Sequence, residues 1–282
     1  MTVDQATRLR QLAATGRSRA RVIAVTSGKG GVGKSNIALN LAIAAAADFR
    51  RVVVVDADFG LANLDVLCGV PASAGLADVV AGKKRLYEVA LPTPFGVELV
   101  TGASGISFLA DLPDEDRTRF LAQMDVLEGE ADLIVIDTGA GIARNVIKVA
   151  AAADDIIVVT TPEPTSITDA YAAVKLISRE REHGCLSLVV NQAASREEAR
   201  SAASRIVAVA RQFLATDVQP AGFVPADPCL SRAVRIRRPL VAAFPNSPAA
   251  LCIKHIAKRF RARDAVAASG GFMNRLKRLF GR

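Results

Sequence analysis

The sequence predicts an α/β protein, a doubly wound, mainly parallel sheet of about seven or eight strands flanked by helices. Three observations carry this. Short runs of β-branched and aliphatic residues recur along the chain and are apolar at nearly every position, as in strands buried on both faces of a parallel sheet. Alanine-rich stretches at helical spacing lie between them and supply the crossovers that parallel strands require. A glycine-rich loop follows the first run directly and opens the first helix, the place where an open α/β sheet holds a ligand.

In chain order, residues 1–20 are polar and basic and lack the apolar segment of a signal peptide, so secretion is not expected. Strand candidates occupy 22–25, 52–55, 97–101, 133–136, 156–161, 186–190 and 222–224, and helical spacing marks 37–47, 143–153 and 166–181. The body of the protein is expected over 21–262, which at a total of 282 residues is one large domain. Residues 263–271, with AVAASGG, read as a flexible linker to a last segment at 272–282. The longest clean apolar run, 41–47, is too short to span a bilayer. Cys68, Cys185, Cys229 and Cys252 show no C-x-x-C spacing, which suggests neither a disulfide framework nor a zinc or iron-sulfur site.

The formal charge is +8, and between residues 254 and 282 nine Lys or Arg face Asp264 alone. By this sum the excess sits in a C-terminal appendage and the rest of the chain is neutral, which speaks against a nucleic-acid-binding body.

Gly28, Gly33, Lys34 and Ser35 in VTSGKGGVGKSN satisfy G-x-x-x-x-G-K-[ST] in the required strand-loop-helix context. The backbone N–H groups of Gly28, Lys29, Gly30, Gly31, Val32, Gly33, Lys34, Ser35 and Asn36 can wrap nucleotide phosphates at the helix N-terminus. Lys34 offers charge to the β and γ oxygens, and Ser35 is a Mg2+ ligand. Asp56 and Asp58 end one strand and Asp137 another. In a parallel sheet these ends share one edge, so the three carboxylates converge on the loop, where Mg2+ needs acidic groups and hydrolysis needs a residue to orient water. Lys29 is one cation more than such a loop needs.

The stretches KGGVGKS, DADFGLANLD (56–65) and IDTGAGI (136–142) resemble the MinD/ParA ATPases, P-loop NTPases with a deviant Walker A motif. The resemblance covers about 21–260. It implies that Lys29 reaches across an ATP-bound homodimer to the other subunit's nucleotide, that Asp58 positions the attacking water, and that Asp56 and Asp137 hold the Mg2+ shell. It further implies that Gly141 marks a loop sensing the γ-phosphate, that Asn191, Pro225 and Asp227 recognise adenine, and that Glu163 contacts the partner's ribose. Asn36, the switch DTGAGI and the run PEPTSITDAYA are similar to the flagellar group within the family, known as FlhG, FleN or YlxH. That likeness extends to DQATRLRQL. It implies that Asp4, Gln5, Ala6, Leu9 and Arg10 lie on a short helix stimulating the GTPase FlhF, a signal-recognition-type partner, and that flagellar basal-body (C-ring) components are also partners.

The C-terminal FMNRLKRLFGR places Phe272, Met273, Leu276, Leu279 and Phe280 on one helical face with cations outside it. Such a helix either lies in an anionic membrane surface or docks on the core. The linker of small residues favours the membrane, and the segment resembles the MinD membrane-targeting sequence. The expectation is an ATP-hydrolysing spatial switch using ATP and Mg2+, cytoplasmic and peripheral on the inner face of the cell membrane, that regulates flagellar number or placement. The competing readings are a ParA-like DNA partition ATPase, a MinD-like division-site regulator and a non-hydrolysing scaffold.

Overall fold

The computed structural model describes residues 19–58, 62–102, 113–181, 184–261 and 271–280. β1 (Arg21–Ser27) leads into α1 (Lys34–Ala45), and β2 (Val52–Ala57) into the short helices α2 (Leu64–Cys68), α3 (Leu76–Val80) and α4 (Leu86–Val89). A hairpin of β3 (Ala90–Pro92) and β4 (Glu98–Val100) precedes α5 (Asp114–Glu130). Regular β-α units follow: β5 (Leu133–Ala140), α6 (Arg144–Ala152), β6 (Asp155–Thr160), α7 (Pro164–Glu180), β7 (Cys185–Ala193), α8 (Arg196–Leu214) and β8 (Gln219–Pro225). The chain closes with α9 (Pro228–Arg235), α10 (Leu240–Ala243), α11 (Pro248–Arg261) and α12 (Phe272–Phe280).

The eight strands run in the order β3-β4-β2-β5-β1-β6-β7-β8. All neighbours are parallel except β3 against β4. Every strand expected from apolar runs is present, and β3 is the addition. Its three residues are too short to show a pattern, and Pro92 is tolerated because β3 is an edge. The unbroken apolar runs have the expected cause. In β1, Val22 and Ala24 enter one core while Ile23 and Val25 enter the other, on opposite faces of the sheet. Helices α3 to α8 and α12 cover the first face, and α1, α2 and α9 to α11 cover the second.

The C-terminal segment departs from the sequence expectation. Instead of an appendage with an open apolar face, α12 is seated against α5 and α6, with Phe272, Met273, Leu276 and Leu279 buried in the core and Phe280 packed against it. Both ends of the seat are polar and matched to the helix dipole. Glu128 on α5 accepts from the Phe272 and Met273 amides at 2.8 and 3.0 Å, and Lys148 on α6 donates to the Leu279 carbonyl and lies 5.1 Å from the Phe280 ring centroid. Arg275, itself buried, donates to Ala152 O at 2.6 Å and pairs with Asp154. Helical spacing reveals that an apolar face exists; what covers it is set by residues more than a hundred positions away. The partner-activating segment with Asp4, Gln5, Ala6, Leu9 and Arg10, and the linker over 263–270, lie outside the described residues. Among the described residues no helix is long and apolar enough to cross a membrane.

Candidate nucleotide-binding site

The phosphate loop lies between the end of β1 and the first turn of α1, at the centre of the sheet. Its two motif glycines are required for different reasons. A Cβ on Gly28 would stand 2.0 Å from the Asp169 carbonyl, so glycine there lets the backbone of α7 close on the loop. Gly33 has φ +86, and a Cβ would stand 2.3 Å from Asn191 Nδ2. A Cβ on Gly30 or Gly31 would meet nothing within 4 Å, and both residues are exposed at the tip of the loop.

Lys34 is buried and donates to Asp137 Oδ1 at 2.6 Å, with Ser35 Oγ at 3.5 Å and Asp58 Oδ2 at 4.0 Å from the same ammonium. The strand register produces this meeting, because Asp137 on β5 stands level with Val25 of β1 and Asp56 of β2. Burial pushes the Asp137 pKa up against the pull of Lys34 and Ser35. Its Oδ2 is buried without a hydrogen-bond partner. A buried, orphaned carboxylate oxygen beside a serine hydroxyl fits a hard, oxygen-seeking cation such as Mg2+.

Asp56 is also buried, but it faces another way. Its oxygens accept from the amides of Asp58, Asn63 and Leu64 at 3.1, 3.0 and 3.2 Å, so the carboxylate ties Asp58, Asn63 and Leu64 to the end of β2. Burial, then the neighbouring Asp137 charge, raises its pKa to about 7 despite those amides. Asp58 is the most exposed of the three carboxylates, and its Oδ1 lies 4.0 Å from where a Cβ on Gly139 would stand. The loop after β5 is tied back to the phosphate loop, since Gly141, at φ +96, donates its amide to Ser27 O at 2.8 Å.

Lys29 lies at the rim, where its ammonium is 3.3 Å from Glu163 Oε2 and 3.4 Å from Thr165 Oγ1. Both members of the ion pair are exposed, so it contributes at most about 1 kcal/mol and leaves Lys29 available to a better acceptor. The sequence singled out Lys29 and Glu163 separately and did not pair them; Thr165 was missed, although a helix opening beside a phosphate loop is a signal for such contacts.

Asn191 donates to Val32 O at 2.8 Å, and its Oδ1 is buried and unpartnered. It therefore braces the loop and keeps one acceptor for a ligand N–H group. The next residue, Gln192, holds a left-handed backbone at φ 58, a conformation sequence reading had no means to find. Both oxygens of Asp227 are engaged, with Cys229 N at 2.8 Å and Ala249 N at 3.1 Å, so it caps α9 and anchors α11. Pro225 ends β8 beside Ala193. Asn36 is half-buried in the first turn of α1 and accepts from Asn40 Nδ2 through its carbonyl at 2.8 Å.

The chain matches the model of the CobQ/CobB/MinD/ParA nucleotide-binding domain over residues 23–240. It is 40% identical over 239 residues to the antiactivator FleN of Pseudomonas aeruginosa, covering 85% of each chain. It is 37% identical over 243 residues to the flagellum site-determining protein YlxH of Helicobacter pylori, covering 86% of this chain and 82% of that protein. The septum site-determining protein MinD of Pyrococcus horikoshii, solved as a complex with Mg-ADP, superposes with a TM-score of 0.71 at 26% identity, over 89% of this chain and all of the other. With the phosphate loop, the converging carboxylates and the sheet order in agreement, the chain belongs to the MinD/ParA family of nucleotide-binding ATPases.

Proposed function

We propose that this protein is an ATP-hydrolysing switch that dimerises on ATP and regulates flagellar number or placement. The observation that carries the chemistry is the meeting of Lys34, Ser35, Asp58 and Asp137 at one end of the sheet. Lys34 neutralises charge on the β and γ oxygens and gives up Asp137 to do so. Ser35 and Asp137 would hold Mg2+, with Asp56 holding the amides of Asp58, Asn63 and Leu64 beside them; bound there, the ion would supply neutralisation of phosphate charge. Asp58, partly exposed and next to Lys34, orients the attacking water. Lys29 exchanges its weak contact with Glu163 for the nucleotide of a second copy, which makes ATP a component of the interface. Asn191 Oδ1 accepts from the adenine amino group.

The flagellar assignment is supported by similarity to FleN and YlxH. By the same likeness the N-terminal segment 1–20 stimulates an FlhF-type GTPase, and the dimer engages C-ring components. Membrane attachment uses α12, which must leave its seat to expose the apolar face. The seat borders α6, the helix that begins at Arg144 directly after the loop containing Gly141, so a change in that loop reaches α12 through one helix. Light scattering of the purified protein tests the core of this reading. ATP with Mg2+ should double the mass, ADP should leave a monomer, and Lys29→Ala should remain monomeric with ATP while still binding it. A mass that ignores the nucleotide overturns the switch.

A further inference from the structure

We infer that the cleft between the end of α2, the β3–β4 turn and the α9–α10 loop is a docking site for an acidic, apolar segment of a partner protein. The cleft is shallow and open, about 780 Å3 in volume, and is lined by Cys68, Gly69, Phe95, Ile236, Arg237 and Arg238, among others. No Asp or Glu occurs between Asp227 and Asp264, whereas Arg232, Arg235, Arg237 and Arg238 crowd a single loop and helix end, all of them exposed. Arg232 lies over the Phe244 ring, and no carboxylate pairs with Arg235, Arg237 or Arg238 among the described residues. Asp65, back along α2, is the acid that neighbours Cys68. Ile236 is 54% exposed between these arginines.

The loop is built to present these side chains. Arg237 holds a left-handed backbone at φ 50, and its carbonyl would lie 2.6 Å from a Cβ on Gly69. A non-glycine residue in that conformation costs free energy and persists where the surroundings hold it. Here α2 and the loop are pressed together, with Ile236 and the arginine heads turned outward.

Charge and the small apolar area select the occupant. Duplex DNA meets a basic surface with phosphates and has nothing to place on an apolar floor. A lipid surface takes several protruding apolar groups together, and in this lining Ile236 is the large aliphatic side chain that stands exposed, with Phe95 half-buried. A peptide segment satisfies both parts, with an aliphatic or aromatic side chain on the floor and carboxylates on Arg237 and Arg238. Occupancy bears on the nucleotide site, because α2 is only five residues long and its first amide, that of Leu64, is held together with Asn63 N by Asp56. That effect on turnover rests on the ATPase reading above; the docking does not.

A random peptide library displayed on phage, selected on the full-length protein with ATP and Mg2+, tests the site. The enriched peptides should carry several Asp or Glu around an apolar residue, and should bind Ile236→Glu with Arg238→Glu about tenfold or more weakly. Both positions are exposed, and the double variant should bind ATP as the parent does. No enrichment, peptides without acidic excess, or equal binding to the variant overturns the proposal. So does binding of duplex DNA or phosphatidylglycerol vesicles that this variant loses, since the face would then serve nucleic acid or lipid. A selected peptide should also change ATP turnover in the parent and not in the variant; binding without that change overturns the link through α2.

Discussion

In the proposed ATPase, Lys34 and Asp58 divide the chemistry by burial. Lys34 is enclosed with Asp137 at 2.6 Å, and Asp58, at 4.0 Å, keeps access to water. Asp58→Ala should therefore lower ATP turnover by about a hundredfold or more while ATP affinity stays near the parental value, measured by phosphate release and by calorimetry. Lys34→Ala should lose affinity as well. Parental turnover in the Asp58 variant would refute the water-positioning role. At this scale the loop was legible because its chemistry is local: glycine, lysine and serine at fixed spacing have few other uses. Asn191 bracing Val32, and Asp56 gathering the amides of Asn63 and Leu64, were not legible, because each joins groups whose proximity depends on the fold.

Among the elements, α12 shows how a helix acquires a specific seat. Full burial of Phe272, Met273, Leu276 and Leu279 contributes on the order of 1.5 to 3 kcal/mol each as an upper bound, and Glu128 and Lys148 answer the two ends of its dipole. Burial raises the Glu128 pKa; the amides of Met273 and Phe272 and the charge of Arg19 pull it down, and Asp125 adds to the rise. Folding therefore takes up a proton at Glu128, and this contribution to stability is full below the ordinary glutamate value of 4.5 and is lost as pH rises through the raised one. The melting temperature should carry a component that falls across that window, and Glu128→Gln should flatten that dependence. An unchanged slope in that variant would remove Glu128 as its source.

For the whole molecule, the two faces of the sheet carry different surfaces: α12 lies on one and the arginines of α9 and the following loop on the other. A seated α12 cannot offer its apolar face to lipid, so binding to phosphatidylglycerol vesicles should require ATP and should fall with salt. Because Leu276 and Phe280 belong to the packed structure, replacing both with Glu should lower the melting temperature and abolish vesicle binding together. Lys277→Glu with Arg278→Glu replaces a half-buried and an exposed cation outside the core, and should weaken vesicle binding with a smaller effect on melting than the apolar pair. Equal vesicle binding with ADP and ATP would mean that the seat does not govern attachment.

The chain's own pattern determined the sheet, because strands buried on both faces must be apolar throughout and crossovers must be helical. It also determined the phosphate loop and the carboxylates at the strand ends, since parallel strands bring those ends to one edge whatever their distance in sequence. Tertiary structure decided the partners of the amphipathic and charged surfaces. A charge sum that reads as a basic tail on a neutral body becomes, once folded, a buried Arg275 paired with Asp154 and an acid-free arginine loop over a cleft. Periodicity and net charge are properties of a segment. What covers a face, and which charges gather on it, are properties of the contacts that only folding creates.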